Sequence, residues 1–166
     1  MSFTELGLQP NLATRLINLG YIRPTPAHNK VIPDILHGAN LLIGSPVGAG
    51  FAESAMISII NLSVTQANSN QAHIILSASD DHKLIYEQQL QLLMGNQIPI
   101  ALMTNIESFV PPTTQASIWI STPQEFLNYL QESSTNQEIS YTLLLNETDE
   151  MIARGAKPAL LAVSEY

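Results

Sequence analysis

Cysteine is absent from all 166 residues, which excludes disulfides, thiolate metal sites and a cysteine nucleophile. Charge is nearly as scarce. Asp, Glu, Lys and Arg make up 12 % of the chain, against roughly 25 % in ordinary soluble domains. The polar surface must therefore come largely from Ser, Thr, Asn and Gln. Positive charge is the rarest of all. The basic residues are Arg15, Arg23, Lys30, Lys83, Arg154 and Lys157, so only Lys83 falls between positions 31 and 153, and the formal net charge is −8. A nucleic-acid surface needs clustered Lys and Arg to displace phosphate counterions, and this long middle section cannot readily build one. RNA is accordingly not the expected partner. No apolar run approaches the roughly 18 residues that would span a bilayer, and no basic segment leads into an apolar stretch at the start. No membrane contact is expected, and the expected location is the cytoplasm.

What is present is a chain long enough for one domain with a real core, with 45 % apolar residues to fill it. Helical and strand patterns alternate. Pro10 to Leu19 has apolar residues at helical spacing, and Gly20 stands where that helix should stop. Thr25-Pro26 is a cap followed by proline at the first helical position, opening a helix through Leu36, with a kink expected at Pro33. Strands are expected at Leu41–Ile43, Ala72–Leu76, Ile98–Met103, Ser117–Ile120 and Tyr141–Leu145. Helices are expected at about 52–64, 80–94 and 122–130. Continuous apolar strands alternating with helices predict an α/β fold, a parallel sheet covered on both faces. Ligands of such sheets sit at the carboxyl ends of the strands.

Two stretches lie at such ends. The first is Gly44-Ser45-Pro46-Val47-Gly48-Ala49-Gly50-Phe51-Ala52, a glycine turn between a strand and a helix. Such turns wrap backbone N–H groups around phosphates, but an ordinary turn has the same glycines. The second is Asn146-Glu147-Thr148-Asp149. His28, His37, His73 and His82 show no paired ligand spacing, and Asp80-Asp81-His82 reads as the capped start of a helix rather than a metal site.

In order along the chain, these segments resemble the first RecA-like domain of the DEAD-box RNA helicases, most clearly over residues 3 to 60 and 117 to 152. Phe3-Thr4-Glu5-Leu6-Gly7-Leu8 with Gly20-Tyr21-Ile22-Arg23-Pro24-Thr25-Pro26 is similar to the family's adenine-recognising segment. The resemblance implies one RecA-like domain over 1–166, with adenine-motif helices in 1–38, the parallel-sheet core in 39–166 and no second helicase lobe. It also implies vestigial nucleotide contacts at Phe3, Thr25, His28, Gly48, Gly50, Phe51 and Ala52, and vestigial nucleic-acid contacts at Thr122 and Pro123.

The departures fall on the positions that carry chemistry. His28 stands where the family has a glutamine whose amide pairs with adenine, and a single ring imitates only part of that pairing. Phe51 replaces the lysine that meets the β- and γ-phosphates, and Ala52 replaces the hydroxyl that ligates Mg²⁺. Asn146 replaces the aspartate that anchors the metal, while Glu147 and Asp149 remain as remnants. Asp80 and Glu125 stand where arginines meet RNA, so repulsion of phosphate is expected at both. A glycine pair of the family is missing from positions 104 to 116. Phosphoryl transfer rests on charge neutralisation and positioning, and three lost charge-handling groups should abolish it. The expectation is a catalytically inactive domain with no cofactor beyond weak ATP or ADP binding without Mg²⁺, serving to bind an unidentified protein partner. Two alternatives stand beside it: a divergent ATP- or RNA-binding helicase component, and a non-hydrolysing adenine-nucleotide sensor working through Phe3, Thr25 and His28.

Overall fold

The computed structural model describes every residue except Val47, Asn68, 106–115 and 133–138. The family glycine pair sought at 104–116 therefore falls mostly outside the described residues. Four parallel strands form the sheet: β1 (Gln71–Leu76), β2 (Ala101–Met103), β3 (Ser117–Ser121) and β4 (Ser140–Leu145), in the order β2-β3-β1-β4. Seven helices accompany them: α1 (Pro10–Asn18), α2 (Pro26–Leu36), α3 (Phe51–Thr65), α4 (Asp80–Met94), α5 (Pro123–Glu132), α6 (Thr148–Ala153) and α7 (Lys157–Val163).

The strand alternation sorts side chains into two cores. Ile75, Ile118 and Ile120 join α1, α3 and α4 on one face through Leu16, Ile57, Ile60 and Leu90. Ile74, Leu76 and Trp119 join α5, α6 and α7 on the other through Phe126, Met151 and Val163. The parallel sheet covered on both faces is therefore present. α3 runs through the first core, with residues 54–63 all buried. Its buried hydroxyls are satisfied within the helix: Ser54, Ser58 and Ser63 donate to the carbonyls of Gly50, Ser54 and Ile59. That local back-bonding lets serines sit in a core without outside partners.

Two strand expectations need correction. Leu41–Ile43 forms no strand. Its side chains face water, Leu42 completely, and among the described residues no backbone hydrogen bond to another strand holds it. Three apolar residues ended by Gly44 and Pro46 have strand composition, but a strand exists only where a neighbour completes its ladder. The strand expected from Ile98 begins only at Ala101, because Pro99 has no N–H to give a ladder. α2 runs unbroken through Pro33. α6 and α7 had no counterpart in the sequence reading.

Candidate functional site

The candidate residues separate into four groups, each held by different elements. The first lies where α2 begins. Thr25 caps α2 in a reciprocal box: its N–H donates to His28 Nδ1 at 3.0 Å, and the His28 N–H donates to Thr25 Oγ1 at 3.3 Å. Because Nδ1 accepts, the proton of the neutral ring lies on Nε2, which faces Glu53 Oε1 at 3.6 Å. The Tyr21 hydroxyl donates to the other oxygen of Glu53 at 2.7 Å. His28 is buried, and the edges of Phe3 and Tyr21 meet its ring at centroid distances of 5.4 and 5.9 Å. The nearby His28 ring holds the Glu53 carboxyl below its usual range, with the Tyr21 hydroxyl contributing and burial opposing. Burial, with the Glu53 carboxylate beside it, pushes the Tyr21 phenol up to about 12. Phe3 is itself 2 % exposed. The side chains carried over for adenine are thus packed on one another.

The second group is the glycine turn. Gly48 and Gly50 both have φ near +81°, the left-handed region that glycine enters freely, and Gly50 is the N-cap of α3. The helix side of the turn is as the sequence suggested, whereas the strand expected before it is absent. Phe51 and Ala52 are half-buried in the first turn of α3. Phe51 does not lie under the sheet. It lines a cavity of about 240 Å³ with Lys30, Val31 and Asp34 of α2 and the exposed run Leu41–Gly44.

The third group lies at the carboxyl end of β4. Glu147 has φ 58°, a left-handed conformation for a residue with a side chain, and is the N-cap of α6. The Tyr86 hydroxyl of α4 donates to Glu147 Oε2 at 2.9 Å and accepts from Asn146 Nδ2 at 3.0 Å. His82 Nδ1 lies 3.9 Å from the same Glu147 oxygen. Burial first, and then the Glu147 carboxylate, push the Tyr86 phenol up. Asn146 and Glu147 are therefore tied to one phenol from α4, while Asp149 faces solvent in the first turn of α6. Among the described residues no hydrogen bond joins this cluster to the glycine turn.

The fourth group brings Asp80 and Glu125 together around Lys83. Lys83 Nζ contacts Asp80 Oδ1 at 2.6 Å and Glu125 Oε1 at 2.8 Å. Burial works against the Lys83 charge, but the two carboxylates outweigh it and raise its pKa. Burial likewise opposes the Glu125 charge, and Lys83 with the Thr122 N–H lowers its pKa overall. Thr122 and Glu125 bond reciprocally at the start of α5: the Glu125 carboxylate accepts from the N–H and hydroxyl of Thr122, the Glu125 N–H donates to Thr122 Oγ1, and Pro123 is buried at the first helical position. Asp80 and Glu125, the two carboxylates expected to repel phosphate, thus share Lys83, and the trio keeps a net negative charge.

These groups fit an α/β domain of a particular ancestry. The profile of the DEAD/DEAH box helicases matches residues 25–165. The chain belongs to the DEAD/DEAH box helicase family. A probable ATP-dependent RNA helicase of Methanocaldococcus jannaschii is 29 % identical over 160 residues, covering 93 % of this chain and 43 % of that protein. The ATP-dependent RNA helicase DRS1 of Candida glabrata is 26 % identical over 170 residues, covering 96 % of this chain and 23 % of that protein. Among solved structures, a DEAD box protein from Methanococcus jannaschii superposes with a TM-score of 0.77 at 26 % identity, over 98 % of this chain and 46 % of that one. The chain thus spans less than half the length of these DEAD-box relatives.

The Mg²⁺-nucleotide implied by the DEAD-box family does not fit the residues present. The amide of Asn146 is an uncharged donor to Tyr86, and no group of three or more His, Asp or Glu among the described residues is arranged to hold a metal ion. Tyr21, Glu53, Lys83 and Tyr86 were missed in the sequence. The bonds Tyr21–Glu53, Lys83–Glu125 and Tyr86–Glu147 span 32, 42 and 61 residues, and no local pattern carries such distances. No helix among the described residues is long and apolar enough to cross a membrane.

Proposed function

We propose that this DEAD-box-like domain is catalytically inactive and acts in the cytoplasm as a protein-binding or regulatory module. The observation that carries the reading is the fate of the surviving glutamate. In an ATPase of this family the carboxylate after the metal anchor acts on the attacking water. Here Glu147 accepts from Tyr86, and the anchor position is an asparagine bonded to that same hydroxyl. Phe51 and Ala52 supply neither a cation nor a metal-binding hydroxyl. With lysine, hydroxyl and aspartate gone together, the charge of a transferring phosphoryl group has nothing to meet it.

RNA is disfavoured on similar grounds. Lys83, the sole cation between positions 31 and 153, is held between Asp80 and Glu125 and has no spare charge for a phosphate.

A weaker second reading draws on the glycine turn. With Gly48 and Gly50 both left-handed, the turn keeps a shape able to offer backbone N–H groups to a phosphate, so weak, Mg²⁺-independent binding of ADP or ATP is the most nucleotide chemistry it supports.

The test is restoration. Phe51→Lys, Ala52→Thr and Asn146→Asp together should recover Mg²⁺-dependent nucleotide affinity, measured by titration with a fluorescent ADP analogue. Hydrolysis of ATP by the unaltered chain would overturn the proposed function.

A further inference from the structure

We infer that the solvent face of α4 is the contact surface of a weak, symmetric homodimer. Besides Asp80 and Gln91 at its edge, the exposed face of α4 presents Asp81, Leu84, Ile85, Gln88, Gln89 and Leu92 to solvent. At 100° per residue these six share a single arc of the helix, about 140° wide. Leu84, Ile85 and Leu92 are 55, 45 and 60 % exposed. Single exposed leucines are ordinary, but here three large aliphatic groups lie along one stripe with only amides between them. No lysine or arginine of α4 interrupts the stripe, since Lys83 is buried on the opposite side.

The stripe is self-complementary about its own centre. Laid antiparallel on a second copy, with a two-fold axis between Gln88 and Gln89, Ile85 meets Leu92 of the other chain and Leu84 lies beside that pair. The two central amides face each other and can exchange hydrogen bonds. A two-fold contact requires one patch to match itself in this way.

Charge at the two ends agrees. Asp81 is exposed and makes no hydrogen bond or ion pair with another described residue. About 8 Å to the other side of the axis is the α4 C-terminus, where Arg15 donates to the Leu92 carbonyl at 2.7 Å. A methyl group on Gly95 would come within 2.9 Å of the guanidinium carbon, so Arg15 sits closely over that end. Antiparallel pairing sets each Asp81 against the Arg15 end of the other copy. Two paired helices bury less than the roughly 1,200 Å² of stable interfaces, and net charge of −8 per chain opposes approach. The dimer is therefore a weak one, with a Kd on the order of 100 µM.

The inference does not depend on whether the glycine turn binds nucleotide, and a monomeric chain would leave the proposed function standing. Absence of cysteine makes the test clean. Gln88→Cys should oxidise to a disulfide-linked dimer roughly tenfold faster than Gln124→Cys on α5, because association raises the local thiol concentration. Asp81→Cys mixed with Asn96→Cys should cross-link faster than either variant alone, which reports the antiparallel sense. In sedimentation velocity the unaltered chain should associate as concentration rises towards about 1 mM, where a Kd near 100 µM leaves mostly dimer. Ile85→Glu should remove that association and Leu161→Glu, on exposed α7, should preserve it. Equal cross-linking at Gln88 and Gln124, a monomer at every concentration, or equal loss in both glutamate variants would overturn the inference.

Discussion

The two parts of the inherited nucleotide region have diverged in opposite ways. Around Phe3, Thr25 and His28 the side chains close on one another: Phe3 and His28 are buried edge to face, Thr25 caps α2 through the His28 ring, and Tyr21 bonds Glu53 beside them. Around Gly48 and Gly50 the backbone persists, open to solvent, and the functional side chains have gone. A pocket for a planar base is readily reused as core, because the groups that grip a ring also pack well on each other. A phosphate loop has no such second use. Its glycines contribute shape alone, and once the lysine is lost the loop keeps a conformation without a charge to serve.

The largest expected effect separates packing from ligand stacking. Phe3→Ala should cost about 3–5 kcal/mol of stability in chemical denaturation, the usual result for a buried Phe. If Phe3 were held in reserve for an adenine, the loss would fall within about 0.5 kcal/mol.

Acid probes the sheet beneath both parts. His73, buried in β1 with no hydrogen-bond partner among the described residues on either ring nitrogen, has its pKa lowered by burial to about 4. The folded state holds the ring neutral while the unfolded chain protonates it, so stability present above pH about 6.5 is lost as pH falls towards 4. The loss approaches about 3 kcal/mol at its fullest. Its measurement is the pH dependence of the denaturation midpoint, which should flatten in His73→Leu. Glu53 adds a smaller loss at lower pH, because its depressed carboxyl stabilises only above the usual carboxylate range. A His73→Leu curve as steep as the parent's would place the acid lability elsewhere.

The smallest effect belongs to the open side. Leu42→Ser should change stability by less than about 0.5 kcal/mol, since Leu42 is fully exposed and outside the sheet. A loss of several kcal/mol would mean that Leu41–Ile43 is paired after all.

Much of this was legible in the sequence. Thr25-Pro26, Asp80-Asp81-His82 and Thr122-Pro123 marked helix starts that the structure repeats to within a residue. β1, β3 and β4 followed from short apolar runs. Leu41–Ile43 looked the same and formed no strand, because composition states what a segment can do and pairing needs a neighbour that composition cannot name. α6 and α7 are short, with Gly155 between them and Pro158 in the first turn of α7 as their only marks. The substitutions at Phe51, Ala52 and Asn146 were visible as residues. Their consequences were not: the Tyr86 bridge and the Lys83–Glu125 pair join positions 61 and 42 residues apart. The Lys83 contact of Glu125 could not be read from the sequence.

The central claim is that the charge-handling chemistry of the nucleotide site is gone. Calorimetric titration of the unaltered chain with ADP, with and without Mg²⁺, tests it most directly. The expected result is weak or undetectable binding that Mg²⁺ does not strengthen. Tight binding that requires Mg²⁺ would contradict it.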